Sequence, residues 1–194
     1  MDPIILEIYT ESSPNPESMK FVTSKFLLKN SSVEYKTKES ASESPIAQFL
    51  FDTPFVQQVF ISSHFITLTK KPEYDWYEII PELKECIRTY ITSGQEIFTK
   101  AFYEKLNQLP PVLTNENSSI DDKIIALLAK YVKPAVEMDG GNIEFKKFEN
   151  GIVTLSMQGA CSGCPSSNAT LKNGVEGLLK RMIPEVTEVV ADAD

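Results

Sequence analysis

The chain has 194 residues, enough for one large domain or two small ones, and its 42 % hydrophobic and 24 % charged residues are an ordinary mix for a soluble globular protein. A net charge of −8 argues against a nucleic-acid surface, which needs clustered Lys and Arg; the basic runs here are no longer than Lys70-Lys71 and Lys146-Lys147. No apolar run approaches the length that crosses a bilayer, so no membrane role is expected.

In chain order, Ile4-Ile5-Leu6-Glu7-Ile8-Tyr9 is a candidate strand, broken by the loop Ser12-Ser13-Pro14-Asn15-Pro16. Phe21 to Leu28 reads as a second strand. Ser44, with Pro45 behind it, caps a short helix through Phe51. Val56–Ile61 and Phe65–Thr69 are β-prone runs separated by Ser62-Ser63-His64, a hairpin. From Trp76 the period changes: Trp76, Ile79, Ile80, Leu83, Ile87, Tyr90 and Ile91 make an amphipathic helix that Gly94 ends. Phe98, Phe102 and Leu106 hint at another short helix, stopped by Leu109-Pro110-Pro111. The polar, turn-rich Thr114 to Ser118 marks a domain boundary.

Beyond it, Ser118 or Ser119 caps a helix with Asp121-Asp122 in its first turn, where the dipole favours carboxylates. Its apolar stripe is Ile120, Ile124, Leu127, Leu128 and Tyr131, and Pro134 kinks or ends it. Asp139-Gly140-Gly141 turns the chain. Two alternating runs, Ile143/Phe145 and Val153/Leu155/Met157, flank the hairpin signal Asn150-Gly151. A helix from Ser166 or Ser167 shows Leu171, Val175, Leu178 and Met182 on one face, Pro184 closes it, and Val186–Val190 adds a last strand. The expected class is α+β: two small α+β domains, 1–93 and 119–194, joined by a linker 94–118 that holds the possible short helix. The C-terminal domain has the order α-β-β-α-β.

Chemistry concentrates in one loop, Gly159-Ala160-Cys161-Ser162-Gly163-Cys164-Pro165. The chain has three cysteines, Cys86, Cys161 and Cys164, too few for a disulfide scaffold and fitting a reducing compartment. Its one histidine, His64, excludes a His-rich metal site within one chain. Thiolates three positions apart hold soft metals, and glycines around them let the backbone bend about something bulky. The second thiol precedes a helix N-terminus, whose orphan amides favour negative charge. A cubane iron–sulfur cluster takes four thiolates and the motif offers two, so two copies across a two-fold axis are the simplest completion. The same pair also serves a thiol–disulfide oxidoreductase, with Cys161 as nucleophile, or a structural zinc module; the local residues leave all three open.

The stretch from Ile120 onward resembles the NifU C-terminal, or Nfu-type, domain. Asp139-Gly140-Gly141-Asn142-Ile143, then Gln158 to Ser167, then Thr170-Leu171-Lys172-Asn173-Gly174-Val175-Glu176, Pro184-Glu185-Val186 and Val189-Val190 carry the likeness. The first half is similar to the N-terminal domain of Nfu-type scaffold proteins through Pro14-Asn15-Pro16, Met19-Lys20-Phe21, Ser44-Pro45-Ile46-Ala47, Phe65 to Lys70 and Asp75-Trp76, departing at Phe55, where such domains often have glycine. The resemblance implies that Cys161 and Cys164 ligate a [4Fe–4S] cluster bridging a homodimer, four thiolates suiting a [2Fe–2S] form as well. It implies a carrier rather than an enzyme, receiving its cluster from an upstream assembly scaffold and passing it to apo iron–sulfur proteins. The acidic start, Met1-Asp2-Pro3, lacks the Arg-rich character of an organelle presequence, which makes the expected location cytoplasmic.

Outside the loop, bland roles are expected. Cys86 falls among apolar positions as a buried structural thiol. His64 is a solvated turn residue, Trp76 a core edge and Asp139 a turn former. Gly174, within a helix, is either a tolerated defect or a point where another backbone comes close.

Overall fold

The computed structural model describes residues 6–29, 31–108, 119–162 and 165–192, with the backbone alone at 108 and 165–172. The chain is α+β and divides into two compact units, Met1–Pro110 and Pro111–Asp194.

The first unit is an antiparallel sheet in the order β1-β2-β5-β4-β3, built from β1 (Ile8–Ser12), β2 (Ser18–Thr23), β3 (Ser32–Tyr35), β4 (Val56–Ser62) and β5 (Phe65–Lys70). Helices α1 (Pro45–Phe51), α2 (Trp76–Thr92) and α3 (Lys100–Gln108) accompany it. Phe21, Ile46, Leu50, Ile61, Ile66, Leu68, Leu83 and Ile87 are fully buried in one core, on which Phe102 and Leu106 of α3 also pack. The expected hairpin is β4–β5, and Ser63 takes φ +35° at its tip. Ser44 caps α1, its hydroxyl accepting from the Ala47 amide at 3.4 Å. Asp75 caps α2 by accepting from the Tyr77 amide at 2.8 Å, and Gly94 follows that helix at φ +76°. Phe55, the departure from the family pattern, is buried with its ring edge-on to Tyr74, so the bulk is absorbed by packing.

Three strand expectations shift. The start of the first candidate strand, Ile4 and Ile5, lies outside the described residues, and β1 runs on to Ser12. β2 starts at Ser18 and ends at Thr23, while Leu27 and Leu28 stay buried in a loop held by amide bonds to the Ser63 carbonyl. β3 was not anticipated; its four residues hold one edge by pairing Val33 with Ile61 and Tyr35 with Val59.

The second unit has the order α-β-β-α-β. Its first helical stretch is α4 (Ile120–Leu127), one π turn (Leu128–Val132) and α5 (Lys133–Met138). Ser119 caps α4 in a reciprocal box with Asp122: the Asp122 amide donates to the Ser119 hydroxyl at 3.4 Å, and the Ser119 amide to an Asp122 carboxylate oxygen at 3.1 Å. Pro134 does not end the helical run but stands in the first turn of α5. Its ring would crowd the carbonyl four residues back, and the widened turn just before it, with the Lys133 amide bonded to the Leu128 carbonyl, relieves that crowding.

Strand β6 (Gly141–Glu149) pairs antiparallel with β7 (Ile152–Gly159), and β8 (Glu188–Ala191) pairs parallel with β7, giving the order β6-β7-β8. The hairpin turn has Asn150 and Gly151 at φ +51° and +82°, and the Gly151 carbonyl accepts from the amides of Thr187 and Glu188. Between β7 and β8 lies α6 (Pro165–Met182). Its buried face is Val175 and Leu179, continued by Ile183, with Leu178 half-buried and Met182 52 % exposed. The expected stripe was therefore one residue off at its end: Leu178-Leu179 and Met182-Ile183 are adjacent apolar pairs, and periodicity does not say which member the sheet covers. Leu171 has no described side chain.

Candidate functional site

The β7–α6 connection starts at Gly159 (φ +68°), which pairs with Gly141 across the β6–β7 ladder. The Ala160 amide donates to the Gly140 carbonyl at 3.2 Å and the Ser162 amide to the Gly159 carbonyl at 3.0 Å. These two bonds fold the chain back over the start of β6. Cys161 is thereby turned inward. It is 4 % exposed and belongs to the core cluster of this unit with Ile124, Leu128, Ile143, Leu155 and Leu179.

The space for its thiol is made by Gly141. A Cβ placed there would lie 2.9 Å from the Cys161 Sγ and 2.6 Å from the Gln158 carbonyl oxygen. Beside it, Asn142 is 5 % exposed; its Nδ2 donates to Gln158 Oε1 at 3.4 Å and to Glu144 Oε1 at 3.2 Å. The amide pair ties β6 to β7 next to the cysteine. The turn Asp139-Gly140-Gly141 was legible in the sequence as a turn; its contact with Cys161 was not, because that contact depends on the β6–β7 register.

Gly163 and Cys164 lie outside the described residues. Helix α6 follows directly at Pro165. Among the described residues, no three His, Cys, Asp or Glu side chains come together as a metal site. No described helix is long and apolar enough to cross a membrane.

The remaining candidates are elsewhere. Cys86 sits on α2 of the first unit and is half-buried rather than buried, since it lies at the edge of the stripe between Leu83 and Ile87. Burial pushes its thiol pKa up, and the Glu82 and Glu85 carboxylates push it further. A raised value leaves less thiolate at any given pH. Iodoacetamide will therefore modify Cys86 more slowly than a free thiol near neutrality, the rates converging only well above the ordinary value of about 8.5. Replacing Glu82 and Glu85 by Gln will speed the reaction; a mass-spectrometric pH series measures it. His64 is exposed at the β4–β5 tip, edge-on to Phe26 and Phe65. Trp76 is a half-buried core edge whose Nε1 donates to the Pro16 carbonyl at 2.9 Å. Asp139 caps the C-terminal end of α5. A Cβ at Gly174 would meet nothing within 4 Å, so no described part of the chain approaches it.

Comparison with known proteins places one family model on each of the two units. Residues 8–94 match the family model described as scaffold protein Nfu/NifU N terminal, and residues 124–190 match the NifU-like domain. The chain is 36 % identical over 187 residues to the human NFU1 iron-sulfur cluster scaffold homolog, mitochondrial, covering 94 % of this chain and 70 % of that protein. It is 36 % identical over 189 residues to NifU-like protein 4, mitochondrial, of Arabidopsis thaliana, covering 96 % and 66 %. The chain thus spans about two thirds of the length of the curated relatives it matches. The solution structure of a NifU-like protein from Saccharomyces cerevisiae aligns with 49 % of this chain and 86 % of its own at 24 % identity and a TM-score of 0.43. One expectation is overturned. The relatives are named mitochondrial, which points to mitochondria rather than the cytoplasm. Location is written in targeting segments that are cut away or stand apart from the folded domains, so the composition of Met1-Asp2-Pro3 was no guide to it.

Proposed function

We propose, from the premise that this chain belongs to the Nfu/NifU scaffold-protein family, that it carries a [4Fe–4S] cluster as cargo between two copies of itself and hands it to apo-proteins. Cys161 and Cys164 of each copy are the ligands in this reading. The observation that carries it is a shortage: the second unit has two thiols, both in one loop, where a cubane takes four thiolates. The reading is supported by the place of Cys161 at the joint of β7 and α6, where the missing Cβ of Gly141 lets its thiol pack against the start of β6.

A cluster shared across a two-fold axis is a binding partner rather than a reaction centre, so no turnover is attached to it. With both thiols at one loop, each copy gives up half of the ligands, and an incoming acceptor thiolate replaces them stepwise. That exchange suits delivery. A [2Fe–2S] form fits the same four thiolates. The donor is an upstream assembly scaffold, and the acceptors are apo iron–sulfur proteins.

Anaerobic reconstitution with iron and sulfide tests this. The chain will turn brown, take up about four irons per dimer and sediment as a dimer. Cys86→Ser will load as well as the parent. A cluster-bearing monomer, or protein that never retains iron, would sink the reading; rapid disulfide reduction by the apo-protein would favour an oxidoreductase instead.

A further inference from the structure

We propose that Asn142 is a positioning residue for Cys161: its side-chain amide holds the end of the β6–β7 ladder shut and so fixes the loop that presents the thiol. That the thiol so placed is a cluster ligand rests on the carrier reading above.

The ladder is weakest where the thiol loop leaves it. Its last rung sets Gly141 against Gly159, two residues with no side chains to hold each other across the strands. Glycine also weakens a strand through the backbone freedom it gives up on folding. The next rung sets Asn142 against Gln158 and is the first with a side-chain pair. Beyond the glycine rung, the Ala160 amide donates to the Gly140 carbonyl at 3.2 Å, and the residue after it is Cys161. Parting the glycine rung therefore draws the backbone of Cys161 off the start of β6.

Asn142 has the features of a clamp. It is 5 % exposed, a level of burial at which an amide must have its polar atoms bonded. Its Nδ2 carries two hydrogens, and acceptors stand at Gln158 Oε1 across the ladder, 3.4 Å away, and at Glu144 Oε1 two residues along β6, 3.2 Å away. The first bond spans the strands. The second goes to a carboxylate on the same strand and orients the amide for the first. Successive side chains of a strand face opposite ways. Ile143 lies in the core with Cys161, so Asn142 stands on the other face of the sheet. It acts on the thiol from behind, through the backbone of Gly141, where an added Cβ would lie 2.9 Å from the Sγ.

The test is the rate at which iodoacetamide modifies Cys161 in the full, cluster-free chain at one fixed pH. Peptide mass spectrometry reads it, with Cys86 of the first unit as internal standard. A buried thiol reacts through local opening, so its rate follows the open population. Asn142→Asp removes the donor from both bonds and sets a second carboxylate beside Glu144. It will speed modification of Cys161 about tenfold, the effect of about one lost hydrogen bond. The amides of Ala160 and Ser162 will exchange faster by the same factor, while those midway along β7 keep the parent rate. Glu144→Gln added to Asn142→Asp will restore slow modification, because the glutamine amide donates to the new carboxylate. Should Asn142→Asp fail to fold by circular dichroism, Asn142→Ala takes its place, and Gln158→Ala will match it. Parent-rate modification of Cys161 in these variants, loosening of every β6–β7 amide alike, or failure of Glu144→Gln to rescue Asn142→Asp would overturn the proposal. Iron content after anaerobic reconstitution is measured on the same samples. The loosened variants will retain less iron per folded chain, and the rescued chain as much as the parent. Iron held at the parent level by a variant whose Cys161 reacts fast would overturn the positioning role. Parent protein that takes up no iron defeats the carrier reading instead, and the modification and exchange rates still decide the clamp.

Discussion

Serine in place of Cys161 will leave the chain folded and take iron uptake to background. The side chain is 4 % exposed within the core of the second unit. Exchanging sulfur for a smaller, more polar hydroxyl there costs about 1–3 kcal/mol where no hydrogen bond compensates. A loss of that size lowers the melting temperature without abolishing the fold, because a domain has about 5–15 kcal/mol in hand. Iron uptake responds differently. With Cys161 and Cys164 as the proposed ligands, two copies of the variant bring two thiolates to a centre that takes four. Alanine at the same position separates the two effects: it adds no buried hydroxyl and leaves a small void, so its stability change differs from that of serine, yet its iron content must be equally low. Iron retained by both folded variants would remove Cys161 from the ligand set. Melting by circular dichroism and iron analysis of the same preparations give both quantities.

Much of the fold was legible wherever a period or a turn residue dictated it. The apolar spacing from Trp76 to Ile91 made α2, and Asn150-Gly151 made the β6–β7 turn. What escaped was decided by pairing or by compensation at a distance. β2 begins at Ser18 because two polar residues are buried with partners: the Ser18 hydroxyl meets that of Thr69 at 3.0 Å, and Lys20 pairs with Glu11 at 2.9 Å. A reading that takes polar residues as loop starts the strand at Phe21. β3 is a strand only because β4 lies beside it. Pro134 looked like a stop because the helix rule assumes an α turn before it, and the π turn breaks that assumption.

The site divides the same way. Cys161 declares itself by element type and spacing. The residue that makes room for it does not, since a glycine twenty positions upstream becomes its neighbour only through the ladder that sets Gly141 against Gly159. Cys164 lies outside the described residues, so its role stands as proposed.

That contact gives the second large effect: alanine at Gly141 will destabilise the second unit and weaken cluster retention together. Its Cβ would sit 2.6 Å from the Gln158 carbonyl oxygen and 2.9 Å from the Cys161 Sγ. The thiol can rotate away, but the carbonyl is backbone of β7, fixed by the pairing of Gln158 with Asn142 and of Gly159 with Gly141. The strands must part locally, and overpacking of this kind costs about 1–3 kcal/mol, a shift of several degrees in the melting temperature of a unit this size. Displacing the thiol adds a loss of iron affinity beyond what the folded fraction explains. Alanine at Gly177 is the control: its Cβ would meet nothing within 4 Å inside a helix, so it should stabilise by about 0.5–1 kcal/mol and leave iron unchanged. Gly174, equally open, discriminates further. If Gly174→Ala raises the melting temperature and yet sheds iron from the dimer, the backbone that comes close to α6 is that of the second copy. If it keeps its iron, Gly174 is a helix defect and nothing more. Should Gly141→Ala melt and load like the parent, the turn that folds Cys161 inward does not govern its thiol.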